Sequence, residues 1–141
     1  MNLECEMANV SVTASNVSLV TPDYETGVLS GTVDAGDIVA FSTVTQRWSA
    51  AADDVAAGVA VRMAISSGFA GQVIGLAPAG AEVSLGSVLT KRGVYAISPS
   101  TAGAIAPIAD VTSSDVLFLV GYAKDASTMV LLLKYTGVTG A

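Results

Sequence analysis

The residues best suited to chemistry in this 141-residue chain are aspartates that occur in neighbouring pairs. The three pairs are Asp34 with Asp37, Asp53 with Asp54, and Asp110 with Asp115. Two carboxylates that face each other across a cleft can hydrolyse a glycosidic bond, so the pairs raise the hypothesis of a glycosidase. All three lie in predicted turns, where aspartate is favoured because its side chain bonds nearby backbone amides. We interpret them as turn residues and predict no catalytic residue.

The rest of the residue inventory excludes most other reactions. The chain has no histidine, so Ser-His-Asp catalysis, Cys-His catalysis and the usual zinc sites each lack a required residue. The single cysteine, Cys5, lies between Glu4 and Glu6 and has no basic neighbour that would activate its thiol. No Gly-Lys-Ser/Thr sequence marks a phosphate loop, and the EF-hand calcium loop is missing. We predict no metal, no cofactor and no enzyme activity.

Composition excludes two classes of partner. Twelve acidic and six basic residues give a net charge of −6, so the chain lacks the basic surface that binds nucleic acid or an anionic membrane. No unbroken apolar run approaches the ~18 residues of a membrane-spanning helix. One cysteine cannot form an internal disulfide, and the chain does not begin with a secretory signal pattern. We therefore expect synthesis in a reducing cytoplasm.

The chain is unusually apolar and poor in charge. Hydrophobic residues make up 52% of it, its mean hydropathy is +0.63, and charged residues make up 13%, against about 25% in an ordinary domain. An alanine-rich domain with an uncharged polar surface is one explanation. The other is a surface covered by partner subunits, where charge is depleted, and we favour this second explanation.

Apolar alternation predicts an all-β fold. The longest alternating run, Val116–Ala123, is followed by a polar link at 124–127 and by a second run that includes Met129 and Tyr135. We interpret these runs as the core hairpin. The alternation places Tyr122 on the same face as Phe118, and both faces of the strand Val116–Ala123 are expected to be covered. About ten short strands, spaced about 8–12 residues apart, predict a small β-barrel or β-sandwich.

The predicted organisation is one β domain at residues 10–138, preceded by a flexible, extended N-terminal arm at 1–9 and followed by a frayed tail at 139–141. Ala50–Ala57 is the only candidate helix, of one or two turns. Residues 10–20 predict a weak first hairpin, and Val88–Lys91 predicts a strand.

A faint internal duplication is a further hypothesis. It aligns the series Val33, Gly36, Phe41, Trp48 and Asp53 with the series Val83, Gly86, Tyr95, Ile105 and Asp110. Short β-hairpins resemble one another by chance, so chance similarity is the competing explanation.

Four residues are candidates for an interface. Trp48 lies beside Arg47, and such residues often anchor interfaces, although a tryptophan in a small β domain equally often caps the core. Lys91 and Arg92 form the only basic pair, which either lies in a solvated turn or contacts an acidic partner subunit.

Several segments together resemble the capsid decoration (cement or head-stabilising) proteins of tailed bacteriophages. The segments are Gly36–Phe41, Arg47–Trp48, Gly58–Ala60, Gly71–Val73, Val94–Ser98, Thr101–Pro107, Asp115 and Leu119–Ala123. The most distinctive part is the hairpin from Tyr95 to Pro107, and the likeness covers about residues 33–138. The first thirty or so residues are not part of it.

The resemblance implies a β-barrel or sandwich on the outer surface of an icosahedral head, made in the host cytoplasm. It further implies a homotrimer that bridges subunits of the major capsid protein, with no catalytic residues to transfer. Two other functions stay open: another virion component, such as a head fibre or a tail or fibre-base protein, and a carbohydrate-binding β module. Sugar-binding modules usually display several exposed aromatics, and this chain has one Trp, four Tyr and three Phe.

Overall fold

The computed structural model describes residues 10, 12–21, 24–51, 59–98, 101–108 and 116–139. Within these residues the chain forms eleven β-strands and a short 3₁₀ turn at Ala14–Asn16. In chain order the strands are β1 (Ser18–Leu19), β2 (Glu25–Val28), β3 (Ile38–Ser42), β4 (Arg47–Ala50), β5 (Val61–Ala64), β6 (Val73–Ala77), β7 (Glu82–Ser84), β8 (Val94–Ile97), β9 (Ile105–Pro107), β10 (Val116–Ala123) and β11 (Thr128–Thr139). The predicted all-β class is confirmed.

The strands form two antiparallel sheets. Sheet A has the order β1-β7-β11-β10-β8-β9, and sheet B has the order β2-β6-β5-β3-β4. The two sheets stack through a shared apolar core and do not close into one barrel, so the sandwich is the correct alternative of the two predicted.

The main core lies between the sheets. Sheet A contributes the side chains of its inner face, such as Tyr95, Phe118 and Leu131, and sheet B contributes Ile38 and Met63 from the facing side. All of these are buried because the alternating pattern of each strand directs one set of side chains into the layer between the sheets. The remaining face of sheet A, here called its outer face, points away from this core.

Sheet B also has a core on its other face. Leu29, Val39, Leu76 and Trp48 pack together there, and a bridge between Leu29 and Trp48 joins the two ends of the sheet. Sheet B is therefore covered on both sides, whereas the described residues place no second core on the outer face of sheet A.

The hairpin of β10 and β11 forms as predicted, but its side chains alternate differently. A β-bulge shifts the register between Leu119 and Gly121. A bulge inserts one extra residue, so the side chains beyond it change faces. Phe118 stays buried in the core while Tyr122 turns to the outer face and is 41% exposed. The predictions that Tyr122 shares the face of Phe118, and that both faces of the strand Val116–Ala123 are covered, are wrong.

The predicted arm, tail and helix lie largely outside the described residues. These are the arm at 1–9 with Cys5, residues 140–141 of the tail, and residues 52–57 of the predicted helix. Thr139, the first residue of the predicted tail, is the last residue of β11 and pairs with Val116. Ala50, the first residue of the predicted helix, ends β4.

Two local predictions are wrong. Residues 10–20 do not form a hairpin, because β1 pairs with β7 and the Val10 amide donates to the Ile105 carbonyl at 2.9 Å. Val88–Lys91 is not a strand, since the amide of Leu89 donates to the carbonyl of Ala126 and the residues after it form a turn. Apolar side chains alone could not distinguish this loop, in which Leu89 is buried, from a strand.

Strands β2 to β6 (unit 1) and β7 to β11 (unit 2) repeat one topology. Their orders, β2-β6-β5-β3-β4 and β7-β11-β10-β8-β9, coincide position by position. The hydrogen bonds that lock the turn before the second strand repeat as well: the Gly36 amide donates to the Ala64 carbonyl at 2.7 Å, and the Arg92 amide donates to the Ala123 carbonyl at 2.9 Å. This repetition supports the duplication hypothesis.

The pairing corrects the alignment of the two repeats. Trp48 and Ile105 are equivalent as expected, since each faces the corresponding residue of the preceding strand. That preceding residue is Phe41 in unit 1 and Ile97, not Tyr95, in unit 2. Gly36 of unit 1 corresponds to Arg92 of unit 2. The alignment by glycine spacing had matched Gly36 with Gly86, so it was shifted at this position. The aspartates at 53 and 110 lie outside the described residues.

Candidate functional site

The carboxylate pair that the structure describes is part of a turn. The Asp37 amide donates to the Asp34 carbonyl at 3.0 Å, and the Asp34 amide donates to Asp37 Oδ2 at 3.0 Å. These bonds close the turn that leads from β2 into β3. The turn interpretation of this pair is confirmed, while the pairs at 53–54 and at 110 and 115 lie outside the described residues.

Burial raises the pKa of the Asp37 carboxyl above its ordinary value of 3.8. The hydrogen bond from the Asp34 amide opposes this rise, and the charge of the Asp34 carboxylate adds to it. Because folded Asp37 keeps its proton to a higher pH than unfolded Asp37, its contribution to stability is complete below 3.8 and is lost as pH rises through the folded pKa.

We expect Asp37→Asn to remove this pH dependence, because the amide keeps a hydrogen-bond acceptor for Asp34 but does not ionise. The stability of the variant relative to the native chain should therefore rise across the interval that begins at pH 3.8 and then stay constant. Urea unfolding of both proteins at a series of pH values checks this, and two parallel pH profiles would contradict it.

The described residues contain no arrangement typical of a reactive centre. No group of three or more Cys, Asp and Glu side chains among them is close enough to hold a metal ion. The same residues enclose no pocket. None of the helices in the described part of the chain is long and apolar enough to cross a membrane.

Trp48, a predicted interface residue, lies in the second core. Its side chain is 8% exposed, and its ring centroid lies 5.2 Å from that of Phe41. The Arg62 guanidinium lies 5.8 Å from the ring centroid, in cation–π geometry. The burial of Trp48 favours the core-cap alternative, and its interface role stays a prediction.

The three basic candidates are exposed but are not one cluster. Arg47 begins β4 at the edge of sheet B, whereas Lys91 and Arg92 occupy the turn that precedes β8 in sheet A. Arg92 has a φ of 70°, in the left-handed region that favours glycine. The equivalent residue in unit 1 is Gly36, with a φ of 94°.

We expect Arg92→Gly to stabilise the fold by about 1 kcal/mol, because the left-handed conformation costs a non-glycine residue about 1–2 kcal/mol, and the added flexibility of glycine offsets part of the gain. Lys91→Gly is the matched control: it removes the same charge from the same turn without relieving a positive φ. Urea unfolding should show a higher midpoint for Arg92→Gly only. Equal midpoints in the two variants would contradict the strain argument.

The outer face of sheet A carries an exposed apolar patch that sequence reasoning missed. Val94, Tyr122 and Val130 form a row across β8, β10 and β11 because each pairs directly with the next. Leu132, two residues beyond Val130 on the same face, is 39% exposed. These four residues, of which Val94 and Val130 are half-buried, are called the outer patch. The patch was missed because periodicity predicted that both faces of the strand Val116–Ala123 are covered.

Charged residues surround the outer patch. Lys124 follows β10, and its Nζ lies 3.2 Å from Oε1 of Glu82, which pairs with Val130. Lys134, two residues after Leu132, is also exposed. An apolar centre with a charged rim is the usual anatomy of a protein-binding surface.

A second apolar patch lies on unit 1. Val28 and Val73 pair at the edge of sheet B, on the face opposite Trp48, and Val73 is 64% exposed. Tyr24, 59% exposed, approaches the same face beside Gly75: its Cδ2 lies 3.8 Å from the position of a Cβ there. Val28, Val73 and Tyr24 are called the edge patch.

Two separate patches on one sandwich suit contacts with more than one protein neighbour. Each is apolar, each lies on a β-sheet face, and they belong to different units. Neither presents a residue set that performs a reaction. No protein-family model matches the chain, and no curated protein or solved structure matches it significantly.

Proposed function

We propose that this chain is a structural virion protein that binds the outer surface of an assembled bacteriophage capsid and stabilises it by bridging subunits of the major capsid protein. The observation that carries the proposal is the pair of exposed apolar patches on a sandwich with few charges, which suits repeated protein–protein contacts. The resemblance to capsid decoration proteins is the reason for proposing the major capsid protein as the partner in these contacts. The active form in this proposal is a homotrimer.

The physical basis of the stabilisation is linkage. A ligand that binds the assembled shell, and binds free subunits less well, stabilises the shell by mass action. A trimer that engages three equivalent sites of an icosahedral lattice adds avidity, since the second and third contacts are intramolecular. Weak individual contacts are then sufficient for tight binding.

The test uses capsids of the phage that encodes this chain. Heads assembled without the protein are incubated with the purified full chain and sedimented, and their disruption temperature is measured. We expect co-sedimentation to saturate at a fixed copy number and the disruption temperature to rise. Heads that already carry the protein are the control and should take up no more.

Other results would overturn the proposal. If the protein fails to bind heads but binds tails or fibres, the chain is another virion component. If it binds neither and instead retains glycans on an array, the carbohydrate-binding alternative takes its place. Tyr24 and Tyr122, the exposed tyrosines of the two patches, would be the residues to test for sugar stacking in that case.

A further inference from the structure

The two units close their sheets differently. In unit 1 the ends of sheet B meet directly, because the Ser30 amide donates to the Trp48 carbonyl at 2.9 Å. The equivalent residues of unit 2 are Gly86 and Ile105: Ser30 and Gly86 each follow a buried leucine just after the first strand of their unit, and Ile105 is the equivalent of Trp48. In unit 2 the Ile105 carbonyl instead accepts the amide of Val10, at 2.9 Å. A residue near the N-terminus thus takes the place that the unit's own chain takes in unit 1.

Residues 10 and 12–20, here called the strap, lie between the first and last strands of unit 2. The first of them reaches β9, Leu19 pairs with Val83 of β7, and a Cβ on Gly86 would lie 3.2 Å from the Cβ of Asn16. The part of unit 2 that receives the strap, lined by β7, Gly86 and β9, is called the cleft. The apolar side chains of the strap pack against the main core there: Val10, Val12, Val17 and Leu19.

The strap belongs to neither unit. Each unit has five strands without it, since β1 is the only described strand outside the two repeated orders. Among the described residues, the backbone hydrogen bonds that join the strap to the units lie at its two ends, at Val10 and from β1 onward. The 3₁₀ turn between these ends bonds only to carbonyls of the strap itself, and none of the strap's described residues is fully buried. A segment held in this way detaches at a small cost compared with unfolding of the whole domain.

A short connector joins the strap to unit 1. Only residues 20–24 separate β1 in sheet A from β2 in sheet B. The amides of Val20 and Thr21 both donate to the Glu82 carbonyl, at 2.8 and 3.4 Å, so β1 ends in a tight bend. A short connector with a tight bend favours exchange between copies, because the connector extends when the strap docks on another copy. Val20 and Tyr24, at the two ends of the connector, are 55% and 59% exposed, which suits coverage by a neighbouring copy.

We propose that the strap of one copy occupies the cleft of a second copy of this chain, so that every copy both gives and receives a strap. The contacts in this exchange are those that the strap makes within one chain, so the two surfaces are complementary by construction. Exchange of an identical element is a low-cost route to an oligomer. Because the strap and the cleft are different surfaces, the contact is heterologous and a closing rotation produces a ring. Three copies give the homotrimer of the proposed function, on which this inference rests for its ring size.

The test places one cysteine in each of two chains. Ser18 in β1 is directly opposite Ser84 in β7, so cysteines at these two positions can form a disulfide. Ser18→Cys is made in one full-length chain and Ser84→Cys in another, and Cys5→Ser removes the native thiol from both. The two proteins are unfolded together in urea, refolded, oxidised and separated on a denaturing gel without reductant. A link between positions 18 and 84 can then form only between two chains, and we expect a covalent heterodimer.

The control mixture pairs Ser18→Cys with Ser30→Cys. Ser30 is an exposed serine of unit 1 that lies outside the cleft, so this mixture should give no heterodimer beyond the background of random collisions. Equal yields of heterodimer from the two mixtures, or none from either, would overturn the inference.

The double variant, with Ser18→Cys and Ser84→Cys in one chain, shows where the strap docks. Exchange gives covalent species up to the size of the oligomer, whereas docking within one chain gives only linked monomers and overturns the inference. Asn16→Cys with Gly86→Cys is a second pair in the same cleft and replaces the first if circular dichroism shows that a variant does not fold. Free thiols in a folded double variant would show that the cleft does not hold the strap and would also overturn the inference.

Mass and head binding are measured separately on the native chain. Light scattering should give an oligomer, and a monomer would overturn the exchange. A chain whose strap docks within itself but that still binds heads overturns only this inference. An exchanged ring that ignores heads overturns only the proposed function.

Discussion

Replacing Gly121 with alanine should lower the free energy of unfolding by about 3 kcal/mol or more, the upper range of overpacking effects. A Cβ at this position would overlap the carbonyl oxygen of Val130 and lie 3.1 Å from Met129 Cγ. The carbonyl belongs to the paired strand β11, so it cannot rotate away as a flexible side chain would. The clash therefore strains the hairpin of β10 and β11, which supplies both the main core and the outer patch.

Gly31→Ala is the matched control for this prediction. A Cβ on Gly31 meets no heavy atom within 4 Å, and the residue does not have a positive φ. We expect no loss of stability, or a gain of up to about 1 kcal/mol from the reduced flexibility of the unfolded chain. Urea unfolding followed by circular dichroism measures both variants, and similar midpoints for the two would refute the clash at Gly121.

Trp48→Ala should destabilise the chain by about 3–5 kcal/mol, because it removes the largest side chain of the second core. The indole fills the space above Gly27, where a Cβ would come within 2.5 Å of Trp48 Cδ1, and it stacks against Phe41. Its loss also removes the aromatic face beneath the Arg62 guanidinium. The bridge between Leu29 and Trp48 that joins the ends of sheet B would lose its packing.

Trp48→Phe tests whether an aromatic ring at this position is sufficient for stability or whether the full volume of the indole is needed. It keeps an aromatic ring against Phe41 and should lose clearly less stability than the alanine variant. Trp48 is the only tryptophan, so unfolding is followed by far-ultraviolet circular dichroism and not by tryptophan fluorescence. A loss below about 1 kcal/mol for Trp48→Ala would contradict the core-cap alternative and favour the interface hypothesis.

The sequence was sufficient for the fold class and for the core hairpin. Alternation identified Val116–Ala123, which is β10, and the part of β11 from Met129 to Tyr135, because each buries at least one face and the period of two is local. The hydrogen bonds of a turn also join residues that are close in the sequence, and the Asp34–Asp37 turn formed as predicted. The internal repeat was visible in part: Trp48 and Ile105 were matched correctly, while Gly36 was matched to the wrong residue.

Composition and periodicity thus determined that this chain is an all-β protein with little charge, short strands and acidic turns. Only the tertiary structure decided which apolar residues remain exposed. The bulge after Leu119 reverses the alternation and brings Tyr122 to the surface, and curling of sheet B buries Trp48. Both depend on contacts between residues far apart in the sequence, whereas a hydrophobic pattern records only that a side chain is apolar. The two patches were invisible to the sequence for that reason.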